Sequence, residues 1–372
     1  MRYKQPLKQL LTATRPCWDG DETRTAVRTS FESVINCGTP ALGAEIYGSS
    51  TEERIVYHRC KSKACPSCGH RATLLWQREQ WTSLPDIAYA GVVFTMPSML
   101  WPIFQQNRHF LHDLPAVGTA VVRQWMKLKH GVSVLIMVVP HTFGGRLNFN
   151  SHLHILVSTG GLREEEGRWV DHLDFDKNKL MHMWRYAVIT FLRAALKAAL
   201  LTSDLNSEEL RKVFADQYRW WSVHVDYFHS KTHFLQYAGR YVRRPPIAQY
   251  RIEGITDQEV RFWVNDKKLK KRVTVRCSPR EFVAMLGEHV SDRYEHSIRH
   301  FGLLAPRSKA RFSAAVFLLL EQQRRPHPQR LGWAFSLRRD FGIDPLIDSK
   351  GQTMRWKSRR NPRVLLHRPA SS

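Results

Sequence analysis

Two histidines lie two positions apart within an apolar segment, "LNFNSHLHILVSTGG" at residues 147–161. In a β-strand, residues i and i+2 project from the same face, so His152 and His154 would stand side by side while the intervening apolar residues pack behind them. Paired imidazoles are a common start to a site for a transition metal, magnesium or manganese, and two protein ligands leave coordination positions open for catalysis. The alternative is a buried strand whose histidines are satisfied by hydrogen bonds.

Two tyrosines four residues apart form a second candidate group, in "QYAGRYVRRPP" at residues 236–246. On a helix, Tyr237 and Tyr241 would share one face, and the structural explanation is that both pack on a core. The functional explanation is that they are nucleophiles, because a nearby divalent ion can polarise a phosphodiester enough for a phenol to attack it. The surrounding basic residues are suited to DNA phosphates: Arg240, Arg243 and Arg244.

Four of the six cysteines lie between residues 37 and 68. Cys65 and Cys68 have the C-x-x-C spacing of zinc ligands, and Cys60 and Cys37 supply two further sulfurs for a closed, structural tetrahedral site. His58 and His70 are spare candidate ligands, and the structural alternative is a set of buried free cysteines. Cys277 stands apart from this group and is interpreted as an ordinary strand residue.

The charge balance limits the class of partner. The 57 lysines and arginines exceed the 33 aspartates and glutamates, which gives a formal net charge of +24. Such an excess favours a polyanion as partner, and nucleic acid or an anionic membrane surface would both fit. No apolar run is long enough to span a bilayer or to form a signal peptide, so we expect a cytoplasmic, nucleoid-associated protein. The paired histidines, the paired tyrosines and the excess of positive charge together predict an enzyme that cleaves and joins DNA.

Hydrophobic patterning predicts an α+β fold with an antiparallel or mixed sheet. The expected strands are 87–97, 131–139, the histidine segment and 220–228, followed by three short strands between 248 and 276; the expected helices are 99–130 with a break near Pro115, 177–200, 203–217, 232–244 and most of 280–325. We divide the chain into a zinc-binding segment at 1–85, a catalytic domain at 86–290 and a basic helical region at 291–372. The basic run 265–276 is expected to form a hairpin, and 351–372 a flexible basic arm.

Several segments resemble one known family. "SHLHILVSTGGL" looks like the histidine–hydrophobic–histidine motif of HUH endonucleases, and "YAGRYVRRPPIA" looks like the paired-tyrosine motif of the rolling-circle transposases of bacterial insertion sequences. "CKSKACPSCG", "FTMP" and "IRHFGLLAPR" are similar to that family's zinc-binding segment, first core strand and late core segment. The resemblance runs over most of residues 35–310 in the family's order.

The resemblance implies a fold, an activity and a substrate. It implies an antiparallel sheet flanked by helices, with His152 and His154 on a central strand holding magnesium or manganese against a scissile phosphate. Tyr237 or Tyr241 would attack single-stranded DNA to give a 5′-phosphotyrosine and a free 3′-hydroxyl, and two tyrosines could serve two successive transfers. Alternatives are a plasmid or phage replication initiator or relaxase, or a catalytically inactive zinc-dependent DNA-binding relative.

The chain also departs from the family pattern. Relatives usually carry a further C-x-x-C where this chain reads "AEIYGSSTEERIVYH", and some have a late cysteine pair where it reads "DPLIDSKGQTM". Cys37, Cys60, Cys65 and Cys68 must therefore complete the zinc site alone. The motif does not identify a third ligand of the catalytic ion, for which His141, Asn150 and Gln236 are candidates.

Overall fold

A computed structural model describes residues 5–204, 206–215, 221–266, 269–292, 294–328 and 332–363. Its helices are α1 (Pro6–Ala13), α2 (Thr25–Asn36), α3 (Pro66–Ser83), α4 (Trp101–Gln106), α5 (His109–His130), α6 (Lys177–Lys197), α7 (Ser207–Ala215), α8 (Lys231–Ala238), α9 (Pro279–Glu288), α10 (Pro306–Leu319) and α11 (Trp333–Phe341). Its strands are β1 (Ala44–Gly48), β2 (Glu53–Tyr57), β3 (Tyr89–Thr95), β4 (Ser133–Phe143), β5 (Phe149–Arg163), β6 (Arg168–Val170), β7 (Ser222–Phe228), β8 (Ile252–Ile255), β9 (Val260–Asp266), β10 (Lys271–Cys277), β11 (Arg299–Gly302) and β12 (Arg355–Arg360).

The chain forms two compact units that alternate along the sequence. The first unit contains 1–72, 245–294 and 327–372, and the second contains 73–244 and 295–326. This division differs from the three consecutive segments expected from the sequence. The physical reason is long-range strand pairing: β12 pairs with β1, and β11 pairs with β4, so late segments complete sheets that begin much earlier.

The second unit is built on an antiparallel sheet with the strand order β11-β4-β5-β3-β7, and β6 pairs with β5. The histidine segment is β5, the middle strand of this path, as the resemblance implied. One face of the sheet packs against α5 and α6, and Leu153, Ile155 and Val157 contribute to that core. The other face carries Leu156 and packs against α8 and part of α3. The alternation of β5 therefore places its histidines on the face that α8 covers.

The first unit contains two three-stranded sheets, with the orders β12-β1-β2 and β10-β9-β8. Both are antiparallel. The basic run 265–276 forms the β9–β10 hairpin, although residues 267 and 268 lie outside the described part of the chain. Cys277 ends β10, as predicted. The expected flexible arm is partly ordered, since β12 is an added strand on the edge of β1, while residues 364–372 lie outside the described residues.

The break predicted near Pro115 is wrong, because α5 continues through this proline. The interruption falls instead at Asn107, between α4 and α5. The buried Asn107 side chain donates to the carbonyl oxygens of Ile103 and Thr202 at 2.8 and 2.6 Å, so it satisfies backbone acceptors that a helix end leaves open. Within the described residues, no helix combines the length and hydrophobicity needed to cross a bilayer.

Candidate active site and metal centre

Three histidines converge at one end of the central sheet. In the antiparallel register, His141 of β4 lies opposite His152 of β5, and Val139 lies opposite His154. Directly opposed residues project from the same face, so His141 joins the pair that the motif supplies. Ring nitrogens of the three residues lie within 4.8 Å of one another. This is the spacing at which three imidazoles can share one cation, so the donor set fits a divalent metal ion.

Hydrogen bonds fix the orientation of two of these rings. His141 Nε2 donates to the backbone carbonyl of Tyr241 at 2.9 Å, and His152 Nδ1 donates to the carbonyl of Asn150 at 2.7 Å. A carbonyl oxygen only accepts, so the second nitrogen of each neutral ring carries a lone pair that can bind a metal. Burial lowers the pKa of His141 to about 3, with the charges of His152 and Arg244 adding to the effect. His141 is therefore neutral at physiological pH, the form that a metal requires.

Helix α8 brings the tyrosines to this face of the sheet. The helix ends at Ala238, so Tyr241 lies in the turns that follow and not on the helix predicted to run to residue 244. Side chains of α3 stabilise this ending: Gln77 Nε2 donates to the carbonyl of Leu235, and the Thr73 hydroxyl donates to that of Val242, both at 2.8 Å. Gly239 leaves room for this contact, because a Cβ there would lie 2.4 Å from Gln77 Nε2.

The two tyrosine rings contact different surroundings. The Tyr241 ring stacks on the His154 ring, with centroids 3.8 Å apart and planes inclined by 26°. The Tyr237 ring is only 5 % exposed and lies 4.6 Å from the Phe228 ring. Burial raises the pKa of Tyr237 well above its usual value, as do the charge of Tyr241 and a hydrogen bond with it. The centroids of the two tyrosine rings are 4.9 Å apart, so Tyr237 contacts Tyr241, which in turn contacts His154.

The other predicted residues are also located by the structure. Arg240, Arg243 and Arg244 are exposed, and the Arg240 guanidinium lies 5.1 Å from the centre of the Tyr237 ring. Of the three candidates for a third ligand, the structure brings His141 to the cluster. Asn150 contributes its backbone carbonyl to His152, and Gln236 is an exposed residue of α8.

Sequence reasoning missed that the histidine face continues onto β7. His154 lies opposite Val93 of β3, and Val93 lies opposite His224 of β7, so the three side chains project from one face. His224 Nε2 lies 3.0 Å from a carboxylate oxygen of Asp226, two residues further along the strand. The alternation of "SVHVDYF" was the available signal, but only the register shows that these polar residues share the face of the histidine cluster.

The four clustered cysteines meet at a second centre, in the first unit. Cys37 caps the end of α2, Cys60 follows β2, and Cys65 and Cys68 lie at the start of α3. Their sulfurs approach one another at 3.6 Å (Cys37–Cys68) and 3.7 Å (Cys60–Cys68 and Cys37–Cys65). A tetrahedron with Zn–S bonds of about 2.3 Å has edges of about 3.8 Å, so the sulfurs are spaced as for zinc.

The residues around the four sulfurs support the interpretation of this centre as a zinc site. Hydrogen bonds from Cys60, Cys65 and Cys68 lower the pKa of Cys37, so the packed sulfurs favour a thiolate at that position. His58, a spare candidate, has both ring nitrogens engaged elsewhere: Nδ1 lies 3.0 Å from the carbonyl of Leu42 and Nε2 lies 3.2 Å from Glu45. Cys37, Cys60, Cys65 and Cys68 therefore suffice for a closed zinc site.

Comparison with known proteins places the two centres in transposase domains. The family described as "Transposase zinc-binding domain" matches residues 9–96, which contain the four cysteines. The family described as "Putative transposase" matches residues 135–311, which contain the histidines and the tyrosines. No solved structure is significantly similar to the chain.

Two curated relatives are also described as transposases. The chain is 29 % identical over 361 residues to "Transposase for insertion sequence element IS801" from Pseudomonas savastanoi pv. phaseolicola, a match that covers 92 % of this chain and 86 % of the relative. It is 27 % identical over 300 residues to "Putative transposase y4qJ" from Sinorhizobium fredii (strain NBRC 101917 / NGR234), covering 76 % and 75 % of the two chains.

The fold and the two centres thus define a DNA transposase with a structural zinc site. Within that class, the chain combines a transposase zinc-binding domain with a second transposase domain, and it is similar over most of its length to an insertion-sequence transposase, as the sequence motifs implied. DNA is accordingly its partner.

Proposed function

We propose that the protein transposes DNA by a rolling-circle route, in which a tyrosine cleaves single-stranded DNA and remains joined to it as a 5′-phosphotyrosine. The observation that carries this proposal is the stacking of Tyr241 on His154, at 3.8 Å, beside the other two histidines of the cluster. The phenol of Tyr241 and the three imidazoles thereby border the same small volume, which supports a site where a phosphodiester can meet both.

The histidine cluster would hold magnesium or manganese through His141, His152 and His154. A divalent ion held by these residues would supply Lewis-acid chemistry, since it would polarise the scissile phosphate and neutralise charge that develops there. The protein's own contribution is orientation: the carbonyls of Tyr241 and Asn150 hold two imidazoles in the metal-binding tautomer. Because one of these carbonyls belongs to Tyr241, the backbone that carries a nucleophile is fixed directly to a metal-binding ring.

The cleavage step needs no oxidant, reductant or nucleotide. The phenol oxygen forms a bond to phosphorus, the phenol proton leaves, and the bond from phosphorus to the 3′-oxygen breaks. The 3′-oxygen leaves as a hydroxyl after taking up a proton. The phosphotyrosine conserves the energy of the broken ester, so a second 3′-hydroxyl can attack it and release the tyrosine.

The basic residues around the site would bind the DNA strand. Arg240, Arg243 and Arg244 are exposed and immediately flank Tyr241 in the sequence, so they can bind the phosphates next to the scissile one. The net charge of +24 is consistent with an additional, sequence-independent attraction to the DNA backbone. Single-stranded DNA is the proposed substrate because the paired-tyrosine segment resembles that of rolling-circle transposases.

To test this proposal, purified protein is incubated with manganese or magnesium and with labelled single-stranded DNA. The DNA contains the ends of the insertion sequence that encodes the protein. We expect a protein–DNA adduct that survives denaturation. Changing Tyr237 and Tyr241 together to phenylalanine should abolish it, since phenylalanine keeps the packing but lacks the nucleophile. The variant His152→Ala/His154→Ala should lose the adduct and retain DNA binding.

The matched control is His289→Ala, which removes a buried histidine of the first unit. This variant should form the adduct at the wild-type level. Absence of an adduct from the wild-type protein with metal would refute the catalytic proposal and favour a zinc-dependent DNA-binding protein without catalytic activity.

A further inference from the structure

The two tyrosines differ in how they can reach a phosphate at the histidine cluster. Tyr241 is half-buried and lies outside α8, in the turns after it, with its ring against His154. Its backbone is fixed by the hydrogen bond from His141. The phenol therefore already borders the cluster, and a phosphate bound there would meet it without any rearrangement of the helix.

The ring of Tyr237 instead lies directly against the sheet, at a position where the strand residue has no side chain. The residue beneath the ring is Gly91 of β3, and a Cβ at this position would lie 2.5 Å from Cε1 of Tyr237 and 2.9 Å from its hydroxyl oxygen. Phe228 packs beside the ring at 4.6 Å, and the guanidinium of Arg240 lies over it. The absence of a side chain at Gly91 is thus what allows Tyr237 to lie against the sheet.

The charges around Tyr237 also oppose its ionisation. Asp226 lies directly opposite Gly91 in the β3–β7 register, so a carboxylate stands next to the position of the Tyr237 hydroxyl. Burial first, and the nearby charges of Tyr241 and Asp226 in addition, raise the pKa of Tyr237. A phenol in this environment is a poor nucleophile until it moves out towards a phosphate.

We propose, on the basis of the function proposed above, that the tyrosines act in a fixed order: Tyr241 makes the first cleavage, and Tyr237 makes the second after leaving its position over Gly91. In each step a phenol oxygen joins phosphorus and a 3′-hydroxyl leaves, so the two steps balance identically. The order follows from contact and burial: one phenol borders the histidines, and the other must first be uncovered.

The test is to identify the modified tyrosine in the first turnover. Wild-type protein is mixed with manganese and an excess of one single-stranded oligonucleotide carrying one end of the element, and the adduct is digested and sequenced by mass spectrometry. We expect the nucleotide on Tyr241. Tyr241→Phe should lose the first adduct. Tyr237→Phe should still form it and should lose the strand-transfer product made when a second end is supplied.

Gly91→Ala gives an independent measurement, because its added methyl group occupies the space of the Tyr237 ring while leaving both hydroxyls present. We expect the variant to form the Tyr241 adduct and to change the yield of strand transfer at least as much as it changes the yield of the first adduct. Thermal unfolding of each variant, compared with wild type, separates these effects from loss of the fold.

Two results would overturn the order. An adduct on Tyr237 in the wild-type protein, or on both tyrosines equally, contradicts it while the proposed function stands. Normal strand transfer by Tyr237→Phe would also contradict it, and would show that Tyr237 is a packing residue only. Absence of any wild-type adduct overturns the order together with the function on which it rests.

Discussion

At the scale of single residues, the site depends on what each imidazole nitrogen contacts. His141 and His152 each donate one ring N–H to a backbone carbonyl, which leaves the other nitrogen as a potential metal ligand. His154 differs, since its ring is covered by Tyr241. The three histidines therefore have different contacts. His141 links the histidine cluster to the backbone of Tyr241, the proposed nucleophile, whereas His152 bonds to a carbonyl of its own strand.

This difference predicts a large effect for His141→Ala. The change removes a potential metal ligand and the hydrogen bond to the Tyr241 carbonyl at once. Removing a residue that only hydrogen-bonds to a metal ligand typically lowers activity by roughly 10- to 100-fold. Because His141→Ala also removes a potential ligand, we expect cleavage activity to fall by at least that factor. Adduct formation as a function of manganese concentration measures it, and His289→Ala is the matched control. An unchanged manganese dependence would exclude His141 from the metal site.

At the scale of elements, the four sulfurs connect separate parts of the zinc-binding segment. The four cysteines come from the end of α2, the loop after β2 and the start of α3, so one ion would join three pieces of chain. Structural zinc sites contribute on the order of 10 kcal/mol to the folding of small domains. The order of this segment should therefore depend on the metal.

The prediction for this segment concerns zinc content. Purified protein should contain about one zinc ion per chain, as expected for four thiolates in a closed tetrahedron. Cys60→Ser should lose zinc and make residues 37–68 sensitive to proteolysis. Cys17→Ser is the matched control, because Cys17 is exposed and lies outside the cluster, and it should keep wild-type zinc. Metal analysis by mass spectrometry decides, and full zinc in Cys60→Ser would count against the site.

At the scale of the whole molecule, the positive charge determines how the protein meets DNA. With a net charge of +24, attraction to phosphates acts at every orientation, whereas the proposed cleavage would also need phosphate contacts from the arginines beside Tyr241. Binding should therefore weaken steeply with salt, because each neutralised phosphate releases condensed counterions.

The salt dependence of DNA binding gives a prediction that distinguishes local phosphate contacts of the arginines from the attraction due to the net charge. The variant Arg243→Ala/Arg244→Ala should reduce the slope of log K against log salt for single-stranded DNA by about 1.4, which is about 0.7 for each lost phosphate contact. Arg211→Ala/Lys212→Ala removes the same charge from the exposed surface of α7 and should change the slope much less. Equal slopes for the two variants would argue against a local role for Arg243 and Arg244.

The sequence by itself determined the local patterns from which the candidate sites were predicted. The alternation of the histidine segment predicted that His152 and His154 share a face, because a strand has a period of two residues whatever its surroundings. The spacing of Cys65 and Cys68 predicted a metal-binding turn for the same local reason. The resemblance also implied the central position of the histidine strand in its sheet.

Only the tertiary structure decided which distant residues complete these sites. His141 joins the cluster through the register of β4 on β5, and Asp226 lies beside the position of Tyr237 through the register of β7 on β3. A one-residue shift of either register would turn these side chains to the other face, and no local pattern fixes that choice. The end of α8 at Ala238, and the space above Gly91, likewise depend on packing between elements. The reason is physical: local sequence sets periodicity, whereas burial and strand pairing set neighbours.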